Sequence, residues 1–459
     1  MAEKYDAIVV GAGIGGLAAA LMLSHRGRKT LLLEKHRFLG GRLSSFDRRG
    51  FHVDLGVHLI SRSDKGPTGD VLRRVGIPDP IQYIKVRPRS SYQGKVLTFP
   101  HDFKEMVSEK DFNGLMNFLG EIRFMPEEKM KEYDDVYLQT YLSQYTEEPM
   151  IHGWVESISG IYTGSPISLA STGEFMRCFK WEAETRASGY PDGGCSAISD
   201  AYGDGIRKFG GEIKLGAEVQ KIEVGRGSVN GVMVGDEVYQ SDVVVSNADI
   251  KNTVLNLVGA DHFQSDYVDY VKGLRYSGGG ATVVRIALDK KLTDIMMLGH
   301  IATFDREAYA KKLQSGIIPD ELGLMVVVPS NFSTKVAPEG KQLICVVSGG
   351  LGRGAPKELK EALAEAIINT TESIVPGLRQ HTLWTNTMTP DDLANTLGED
   401  GAGIGIAQIV GQVGDKRPKI KTPIEGLYIV GGEAGGTGVG IELCINSAIE
   451  FMDEHFPLA

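Results

Sequence analysis

Residues 7–22, AIVVGAGIGGLAAALM, decide the fold of this chain. Four apolar residues form a strand pattern, a glycine-rich turn follows, and a run of alanine and leucine predicts a helix over residues 14–26 that ends at Gly27. A second apolar strand pattern, TLLLEK, comes directly after this helix. A strand, a helix and a strand at this spacing predict a parallel βαβ unit.

The turn inside this unit has the spacing G-x-G-x-x-G, with Gly11, Gly13 and Gly16, and Glu34 stands 23 residues after the first glycine. Gly11 permits the tight turn, Gly13 lets the backbone approach a pyrophosphate, and Gly16 lets the helix pack on the strand. The N-terminus of the helix supplies free N–H groups for phosphates. Glu34 can accept a hydrogen bond from a ribose hydroxyl, so the segment predicts a dinucleotide site.

Composition and charge exclude several classes of protein. The 459-residue chain has a formal net charge of −10 and no Lys/Arg-rich run, whereas nucleic-acid binding requires a basic surface. The four cysteines lack C-x-x-C spacing, so neither a zinc knuckle nor a redox pair is encoded, and no other metal-ligand spacing stands out. Unpaired thiols fit a reducing compartment. The length is sufficient for two domains or more.

The sequence also leads to an expectation about location. No apolar run comes near the ~18 residues that a membrane span requires. The first residues, MAEKYD, are polar and run directly into a strand pattern, which leaves no room for a signal peptide. We therefore expect a cytoplasmic protein that is at most peripheral to a membrane.

The α/β pattern returns twice along the chain. Residues 190–255 contain the strand patterns GGEIKLGAEVQKIEV, GVMVGDEVY and SDVVVSNAD, and residues 415–459 contain GLYIVGG followed by a helix pattern. Together with residues 1–85, these segments predict a Rossmann-type domain built from three separate pieces. The two interruptions, residues 86–189 and 256–414, mix helix and strand patterns. The expected fold class is therefore α/β, with an inserted α+β substrate domain.

Several segments resemble the FAD-binding start of a large flavoprotein group, namely GAGIGGLAAA, LEKHRFLGGRLSSF and VDLGVHLI. This group includes phytoene desaturases, carotenoid isomerases, monoamine oxidases and protoporphyrinogen oxidases. The match continues through YPDGGCSAI, GGEIKLGAEVQKI and VVVSNADI, and the tail GIGIAQIVGQVGDKRPKIKTPIEGLYIVGG is similar to that of phytoene-desaturase-like proteins in particular. The resemblance implies FAD, rather than NAD, as the cofactor. It covers the whole predicted FAD domain and only the edges of the inserts.

The resemblance also accounts for a second glycine-rich turn, GGEAGGTGVG at residues 431–440. FAD is long and its pyrophosphate lies far from its flavin ring, so one cofactor needs a turn near each. Glu433 falls where the group has an acidic residue at the ribityl or diphosphate hydroxyl region. Gly440 and Ile441 begin a helix whose N–H groups are expected to face the flavin N1/C2 edge and to stabilise the anion of reduced flavin.

Other parts of the cofactor are assigned in the same way. The glycine pair that ends at Gly41 lets the backbone fold closely over the diphosphate, and the Arg42 guanidinium can hold phosphate oxygens. The resemblance places the backbone of Val219 at the adenine. The full set of expected FAD-binding residues is Gly11, Gly13, Ile14, Gly15, Gly16, Glu34, Lys35, Gly41, Arg42, Gly56, Val57, His58, Val219, Gly432, Glu433, Gly440 and Ile441.

The resemblance implies an FAD-dependent oxidoreductase that acts on a hydrophobic, isoprenoid or polyene substrate. Desaturation, saturation and double-bond isomerisation remain open, each with hydride exchange at flavin N5. One alternative is a flavin amine oxidase, and a less favoured one is a flavin-free prenyl-binding carrier. Thr437 stands where phytoene-desaturase-like tails usually have proline, and the second turn lacks the aromatic residue with which amine oxidases cage the substrate nitrogen. A carrier would not need both glycine-rich turns with their acidic residues.

No catalytic side chain is identified from the sequence. His52 and His58 bracket a segment that the resemblance brings beside the cofactor, but nothing in the sequence pairs with either. Tyr162, Tyr190 and Tyr276 are candidates for the substrate cavity, and core packing is the simpler interpretation of each. We expect the protein to position the substrate and to exclude water from the site, while the flavin accepts hydride. No separate NAD site is apparent, so the electron carrier is a quinone, oxygen or a protein.

Two further patterns have alternative interpretations. An amphipathic stripe at helical spacing is formed by Phe112, Leu115, Met116, Leu119 and Met125. It is either the mouth of a substrate tunnel that dips into a membrane surface or a plain core face. The sequence GAGIG at residues 401–405 repeats part of the fingerprint, but it follows no strand and lacks the third glycine, so it does not predict a second nucleotide site.

Overall fold

A computed structural model of the chain describes residues 3–56, 59–277, 280–302, 312, 315–319, 321–397 and 403–457. A parallel sheet of five strands and a mainly antiparallel sheet of seven organise this part of the protein, with three smaller sheets beside them. The strands are β1 (Ala7–Val10), β2 (Thr30–Glu34), β3 (Ser45–Arg48), β4 (Phe51–Asp54), β5 (Tyr83–Lys85), β6 (Pro88–Tyr92), β7 (Lys95–Leu97), β8 (Gly189–Pro191), β9 (Glu212–Leu215), β10 (Lys221–Gly225), β11 (Ser228–Val234), β12 (Glu237–Gln240), β13 (Val244–Ser246), β14 (Ala281–Leu288), β15 (Met297–His300), β16 (Leu324–Val327), β17 (Gln342–Gly349), β18 (Thr382–Met388) and β19 (Leu427–Ile429).

Helices alternate with these strands along the chain. They are α1 (Ile14–His25), α2 (Pro67–Arg74), α3 (Phe103–Met106), α4 (Glu109–Phe124), α5 (Glu127–Met130), α6 (Leu138–Leu142), α7 (Pro149–Tyr162), α8 (Thr172–Thr185), α9 (Ser196–Lys208), α10 (Ile250–Asn252), α11 (Ser265–Gly273), α12 (Lys357–Ile374), α13 (Pro390–Leu397) and α14 (Ile441–His455). A π-helical segment, Thr253–Gly259, continues α10.

The five-stranded sheet has the order β19-β13-β1-β2-β9, and its neighbouring strands are all parallel. Every residue of β1 and β2 is buried, because the faces of a parallel sheet are covered and its strands are then apolar throughout. The strands come from three separate stretches of the chain. This arrangement confirms the α/β class, whereas the exact domain boundaries given above stay a prediction.

Helix α1 lies at the centre of this layer. It is buried on all sides from residue 14 to residue 24, packed against the sheet and against α9 and α14. A helix that is apolar all round belongs in an interior, which is why the run of alanine and leucine forms no exposed face. It ends at His25 and is followed by Gly27 in the left-handed region, with φ +72°. The predicted helix and its glycine stop are therefore confirmed to within one residue.

The seven-stranded sheet has the order β18-β14-β17-β16-β15-β6-β7. Its neighbours are antiparallel except for β6 and β15, which run parallel. Strands β6 and β7 come from the first interruption of the α/β pattern, and the other five come from the second. The two interruptions thus share one sheet. Helix α12 covers one face, where Leu363 and Ile367 pack with Val284 and Ile344.

Helix α4 contains most of the amphipathic stripe. The Ser108 hydroxyl caps its first turn by accepting from the Asp111 N–H. Leu115 and Leu119 are buried in a cluster with residues of α7 and α8, whereas Met116 is 40% exposed. The stripe therefore packs mainly into the core of the inserted helices. Among the described helices, none combines the length and the apolar character needed to cross a bilayer.

Candidate functional site

The first glycine-rich turn lies between β1 and α1 at the carboxyl edge of the parallel sheet. Gly11 has φ +95°, a conformation that favours glycine, and its N–H donates to the Leu33 carbonyl at 2.8 Å. A Cβ added to Gly16 would lie 2.2 Å from the Gly11 carbonyl oxygen. The turn is therefore closed so tightly that a side chain at residue 16 cannot be accommodated. Ile14, which begins the helix, is buried.

The acidic residue at the end of β2 faces this turn. Glu34 is buried, and its Oε2 accepts from the Ala12 N–H at 2.7 Å while its Oε1 accepts from the His36 N–H at 2.9 Å. These bonds hold the carboxylate beside the turn, as a ribose-binding residue requires. Lys35 is exposed.

The segment that follows β2 folds back over the first turn. The Gly40 N–H donates to the Ala12 carbonyl at 2.8 Å, and a Cβ added to Gly41 would lie 3.4 Å from the Gly13 Cα atom. Arg42 lies in the short 3₁₀ turn that begins at Gly41, and burial raises the pKa of the Glu433 carboxyl and of the Cys444 thiol while the charge of Arg42 opposes both rises. The structure thus brings the Gly41–Arg42 pair between the two glycine-rich turns.

The second glycine-rich turn follows β19 and leads into α14. A Cβ added to Gly15 of the first turn would lie 2.8 Å from the Gly431 Cα atom. The two turns are therefore in direct contact, although 416 residues separate these glycines in the sequence. The structure thus brings together the two turns that the sequence analysis assigns to one extended ligand.

Glu433 is the buried acid of the second turn. Its side chain is 3% exposed, and Oε2 accepts from the Ile250 N–H at 3.4 Å. Within the described residues, Oε1 has no hydrogen-bond partner. Burial raises the pKa of this carboxyl to about 7, Asp249 adds to the rise, and Arg42 opposes it. A buried carboxylate oxygen without a donor is unfavourable unless a ligand supplies one.

The second turn is fixed by an arginine that sequence reasoning missed. The buried Arg417 donates from Nε to the Gly435 carbonyl at 2.6 Å and from Nη2 to the Gly432 carbonyl at 2.8 Å. Arg417 lies in the segment whose resemblance was noted above, but only the fold shows which carbonyls it reaches. Gly432 is therefore held by its carbonyl oxygen.

Asn247 is a second residue that the sequence reasoning did not single out. It follows β13, and its Nδ2 donates to the Val430 carbonyl at 3.1 Å. Its Oδ1 would be 2.6 Å from a Cβ at Gly13, and its Nδ2 would be 2.2 Å from a Cβ at Gly431. Asn247 thus contacts both turns. Its position directly after a parallel strand was the available signal, because such residues face the ligand crevice.

The remaining predicted contacts lie at the two ends of this crevice. Val219 is buried, and its backbone N–H and C=O have no partner in the part of the chain that is described. Ala217, two residues earlier, donates its N–H to the Glu34 carbonyl at 2.8 Å, so Val219 lies near Glu34. At the other end, the N–H groups of Gly440 and Ile441 begin α14 without an acceptor among the described residues.

The segment after β4 is described only in part. Val57 and His58 lie outside the described residues, while Gly56 is described and partly buried. His52 binds Asp47 through Nδ1 at 2.8 Å and Ser196 through Nε2 at 3.2 Å. Both ring nitrogens of His52 therefore contact side chains of the protein.

The three candidate tyrosines have different positions. The Tyr190 hydroxyl donates to Asp54 Oδ2 at 2.5 Å, which makes it a core residue. The Tyr276 hydroxyl donates to Asp249, beside Glu433. Tyr162 accepts at its backbone carbonyl from Gln408 Nε2 at 3.0 Å, and burial raises the pKa of its hydroxyl.

The described part of the second GAGIG sequence, residues 403–405, packs against the second glycine-rich turn. Residues 401 and 402 lie outside the described residues, but Gly405 accepts from the Ser277 N–H at 2.8 Å. A Cβ at Gly405 would lie 2.7 Å from the Gly432 carbonyl oxygen. The four cysteines are free thiols, and the described residues contain no cluster of His, Cys, Asp and Glu that would hold a metal ion.

These features fit a flavin dinucleotide. Because the glycines have no side chains, a ligand can approach the backbone of both turns. Glu433 Oε1 lacks a hydrogen-bond donor among the described residues, and the backbone N–H and C=O of the buried Val219 are unpaired there. The free N–H groups at the start of α14 suit the electron-rich edge of a flavin. These groups lie along the two contacting turns, with Val219 near Glu34 and Ile441 at the start of α14.

Comparison with known proteins agrees with this geometry. A family model described as flavin containing amine oxidoreductase matches residues 14–450. The chain is 24% identical to a lycopene-forming phytoene desaturase of Pseudescherichia vulneris, over 94% of this chain and 95% of that protein. It is 25% identical to the chloroplastic prolycopene isomerase of Daucus carota, over 94% of this chain and 76% of the relative. An oxidoreductase structure from Methanosarcina mazei shares the fold, with a TM-score of 0.78 at 21% identity, over 98% of this chain and all of that one.

Proposed function

The chain belongs to the flavin-containing amine oxidoreductase family, and on that premise we propose that it is an FAD-dependent oxidoreductase acting on a hydrophobic polyene. The proposed reactions are desaturation, saturation or double-bond isomerisation. The observation that carries the proposal is the contact between the two glycine-rich turns at Asn247, because it brings together the two segments that one extended cofactor would need.

The residues around the crevice have separable roles in binding FAD. The backbone of Val219 would receive the adenine, Glu34 the ribose, and the Gly11–Gly16 turn with Arg42 the diphosphate. Glu433 would accept from the ribityl or diphosphate hydroxyl region, which satisfies its unpaired oxygen. Gly440 and Ile441 would donate to the pyrimidine edge of the ring. When bound, FAD supplies hydride exchange at flavin N5.

In this proposal the protein positions the substrate beside the flavin and excludes water from the site. Met297 on β15 and Val327 on β16 belong to the same buried cluster as Ile60, so apolar residues of the insert pack directly on the FAD-binding layer. A dry apolar contact of this kind suits an uncharged hydrocarbon substrate and strengthens the electrostatic interactions beside it. We assign residues 86–189 and 256–414 to substrate binding on this ground.

The relatives favour a polyene over an amine as the substrate. Two of the relatives that this chain resembles are a phytoene desaturase and a prolycopene isomerase. Residues 434–440, AGGTGVG, contain no aromatic side chain with which a substrate nitrogen would be caged. The electron carrier would be a quinone, oxygen or a protein. We propose a cytoplasmic location, with peripheral contact to the membrane that holds the substrate.

Anaerobic spectroscopy tests the proposal. Purified protein with its visible spectrum recorded is mixed with liposomes that contain acyclic polyenes and, separately, with primary and secondary amines. Bleaching of the flavin by a polyene, with a product of longer conjugation, is the result expected for desaturation. Isomerised or more saturated polyene formed after the flavin has been reduced chemically would assign the other two reactions. Empty liposomes and the Gly16→Ala protein, which we expect to lack flavin, are the controls.

Two results contradict the proposal. Bleaching by amines alone would identify an amine oxidase. A purified protein that contains no flavin and takes none up would identify a carrier, because neither glycine-rich turn would then have a ligand to hold.

A further inference from the structure

A buried ion pair lies behind the start of α14. Glu442, the second residue of this helix, is 1% exposed, and its Oε1 accepts from Arg62 Nε at 2.7 Å. The Arg62 side chain is 15% exposed. The two residues are 380 positions apart in the sequence and join the segment after β4 to the second glycine-rich turn.

Arg62 is held in place by its backbone and by an aromatic ring. Its φ is +53°, a left-handed conformation that is unfavourable for a residue with a side chain. Its guanidinium carbon lies 4.8 Å from the centre of the Trp181 ring. A strained backbone persists only where the surroundings fix it, so the position of this cation is set by the fold.

Several titratable groups surround Glu442 in addition to Arg62. Burial raises the pKa of the Glu442 carboxyl to about 6, Arg62 opposes the rise, and Glu182 of α8 adds to it. Tyr162 of α7 and Cys178 of α8 also face this carboxyl, and their pKa values are raised by burial. Glu182 itself accepts from Ser61 and from another serine hydroxyl, which holds it near the pair.

The carboxylate is built into the turn that is proposed to contact the flavin. The Glu442 N–H donates to the Val439 carbonyl at 2.8 Å, and a Cβ at Gly438 would lie 3.2 Å from the Glu442 Cβ atom. Gly440 and Ile441 directly precede it. A negative charge this close to the first turn of α14 partly cancels the positive potential at the N-terminus of the helix.

We propose that Glu442, positioned by Arg62, lowers the redox potential of the flavin bound at this turn. Reduction of the isoalloxazine ring by two electrons and one proton gives it a negative charge, and a buried carboxylate nearby disfavours that charge. Glu442 is a positioning residue in this account, since it acts on the ring through the field at the start of α14. The inference rests on the proposed function and deepens it.

Equilibrium redox titration of the flavin tests this inference. We expect Glu442→Gln to favour reduced flavin roughly tenfold at pH 8, a rise of about 30 mV for a two-electron couple. Glu442→Asp, which keeps the charge, should change this equilibrium less than about twofold on the same scale. Should the glutamine variant not fold, Glu442→Met removes the charge with a side chain of the same length and should give the same rise.

The matched control removes a charge from the other end of the same helix. Asp453 pairs with Arg74 at 2.8 Å and lies about 16 Å along the axis from Glu442. We expect Asp453→Asn to leave the flavin potential unchanged. Below the pKa of Glu442 the wild type also lacks the charge, so wild type and Glu442→Gln should converge near pH 5. If Glu442→Gln changed the flavin potential only by altering the local structure, the difference from wild type would persist at pH 5.

The outcomes separate this inference from the proposed function. If the protein takes up no flavin, the proposed function fails and the inference fails with it. If flavin is bound but Glu442→Gln and Asp453→Asn give equal potentials, the inference alone is overturned. A difference that remains constant from pH 8 to pH 5 would also overturn it.

Discussion

Asn247 donates its side-chain N–H to the carbonyl of Val430 across 3.1 Å and thereby joins the carboxyl ends of β13 and β19. The same side chain lies against glycines of both turns, so it is a point at which the two turns meet. We expect the binding of one cofactor by these two distant segments to depend on this contact.

Replacing the donor of this contact should separate the turns. In Asn247→Asp an oxygen replaces the donating nitrogen and faces the Val430 carbonyl. We expect a loss of about 1–3 kcal/mol in the free energy of unfolding, because a partly buried hydrogen bond becomes a repulsion between two oxygens. Flavin affinity should fall at least about tenfold. Chemical denaturation and flavin titration measure the two effects, and Asn117→Asp, on the exposed face of α4, is the matched control. Equal behaviour of the two variants would refute the role of Asn247.

The first turn should not tolerate a methyl group at residue 16. In Gly16→Ala the new Cβ would lie 2.2 Å from the backbone oxygen of Gly11, which cannot move without opening the turn. We expect a loss of at least about 2 kcal/mol in stability and loss of bound flavin. Gly120→Ala adds the same group to α4, where no atom lies within 4 Å, and should be neutral or stabilising. Thermal unfolding and the visible spectrum of each protein give the comparison.

The second turn should show opposite effects on stability and on binding when Glu433 is replaced. Its carboxyl has a folded pKa of about 7 against 4.5, so its contribution to stability is fully present below pH 4.5 and is lost as the pH rises through 7. Flavin-free Glu433→Gln should lack this loss and be more stable than wild type at pH 8, by about 1–3 kcal/mol. The same variant should release flavin faster.

The pH dependence is the control within that experiment. Wild type and Glu433→Gln should have equal stability near pH 4.5, where the carboxyl is protonated. A variant that is less stable than wild type at pH 8, measured without flavin, would contradict the account of this residue.

Arg417 should be irreplaceable by lysine. One guanidinium donates to the Gly432 and Gly435 carbonyls at once, and a lysine ammonium cannot match this planar geometry. We expect Arg417→Lys to cost about 1–3 kcal/mol in unfolding free energy, because a buried carbonyl loses its donor. Lys419→Arg, two residues away and exposed, is the control. Retention of wild-type stability and flavin content in Arg417→Lys would show that the turn is fixed by other contacts.

The sequence predicts the parts of this site that depend on local periodicity. The first turn, α1 and Glu34 follow from glycine spacing and from the change between strand and helix patterns, because each feature lies within one βαβ unit. The parallel sheet also follows, since its strands read as continuous apolar runs.

The contacts that join distant segments do not follow from the sequence. Asn247, Arg417 and Glu442 gain their roles from partners that are 15 to 380 positions away, and their residue types are common on ordinary surfaces. The amphipathic stripe of α4 left two interpretations open, and only the packing of its leucines against α7 and α8 shows that it is mainly a core face. Pattern alone identifies an apolar face without identifying what covers it.

Calorimetric titration of the flavin-free protein determines whether one FAD spans both glycine-rich turns. FAD, FMN and ADP are titrated separately. Because FAD links two binding groups, we predict one FAD per chain and an affinity at least about a hundredfold greater than that of FMN or ADP. FMN binding as tightly as FAD, or two FAD molecules per chain, would contradict the claim that the two turns hold a single cofactor.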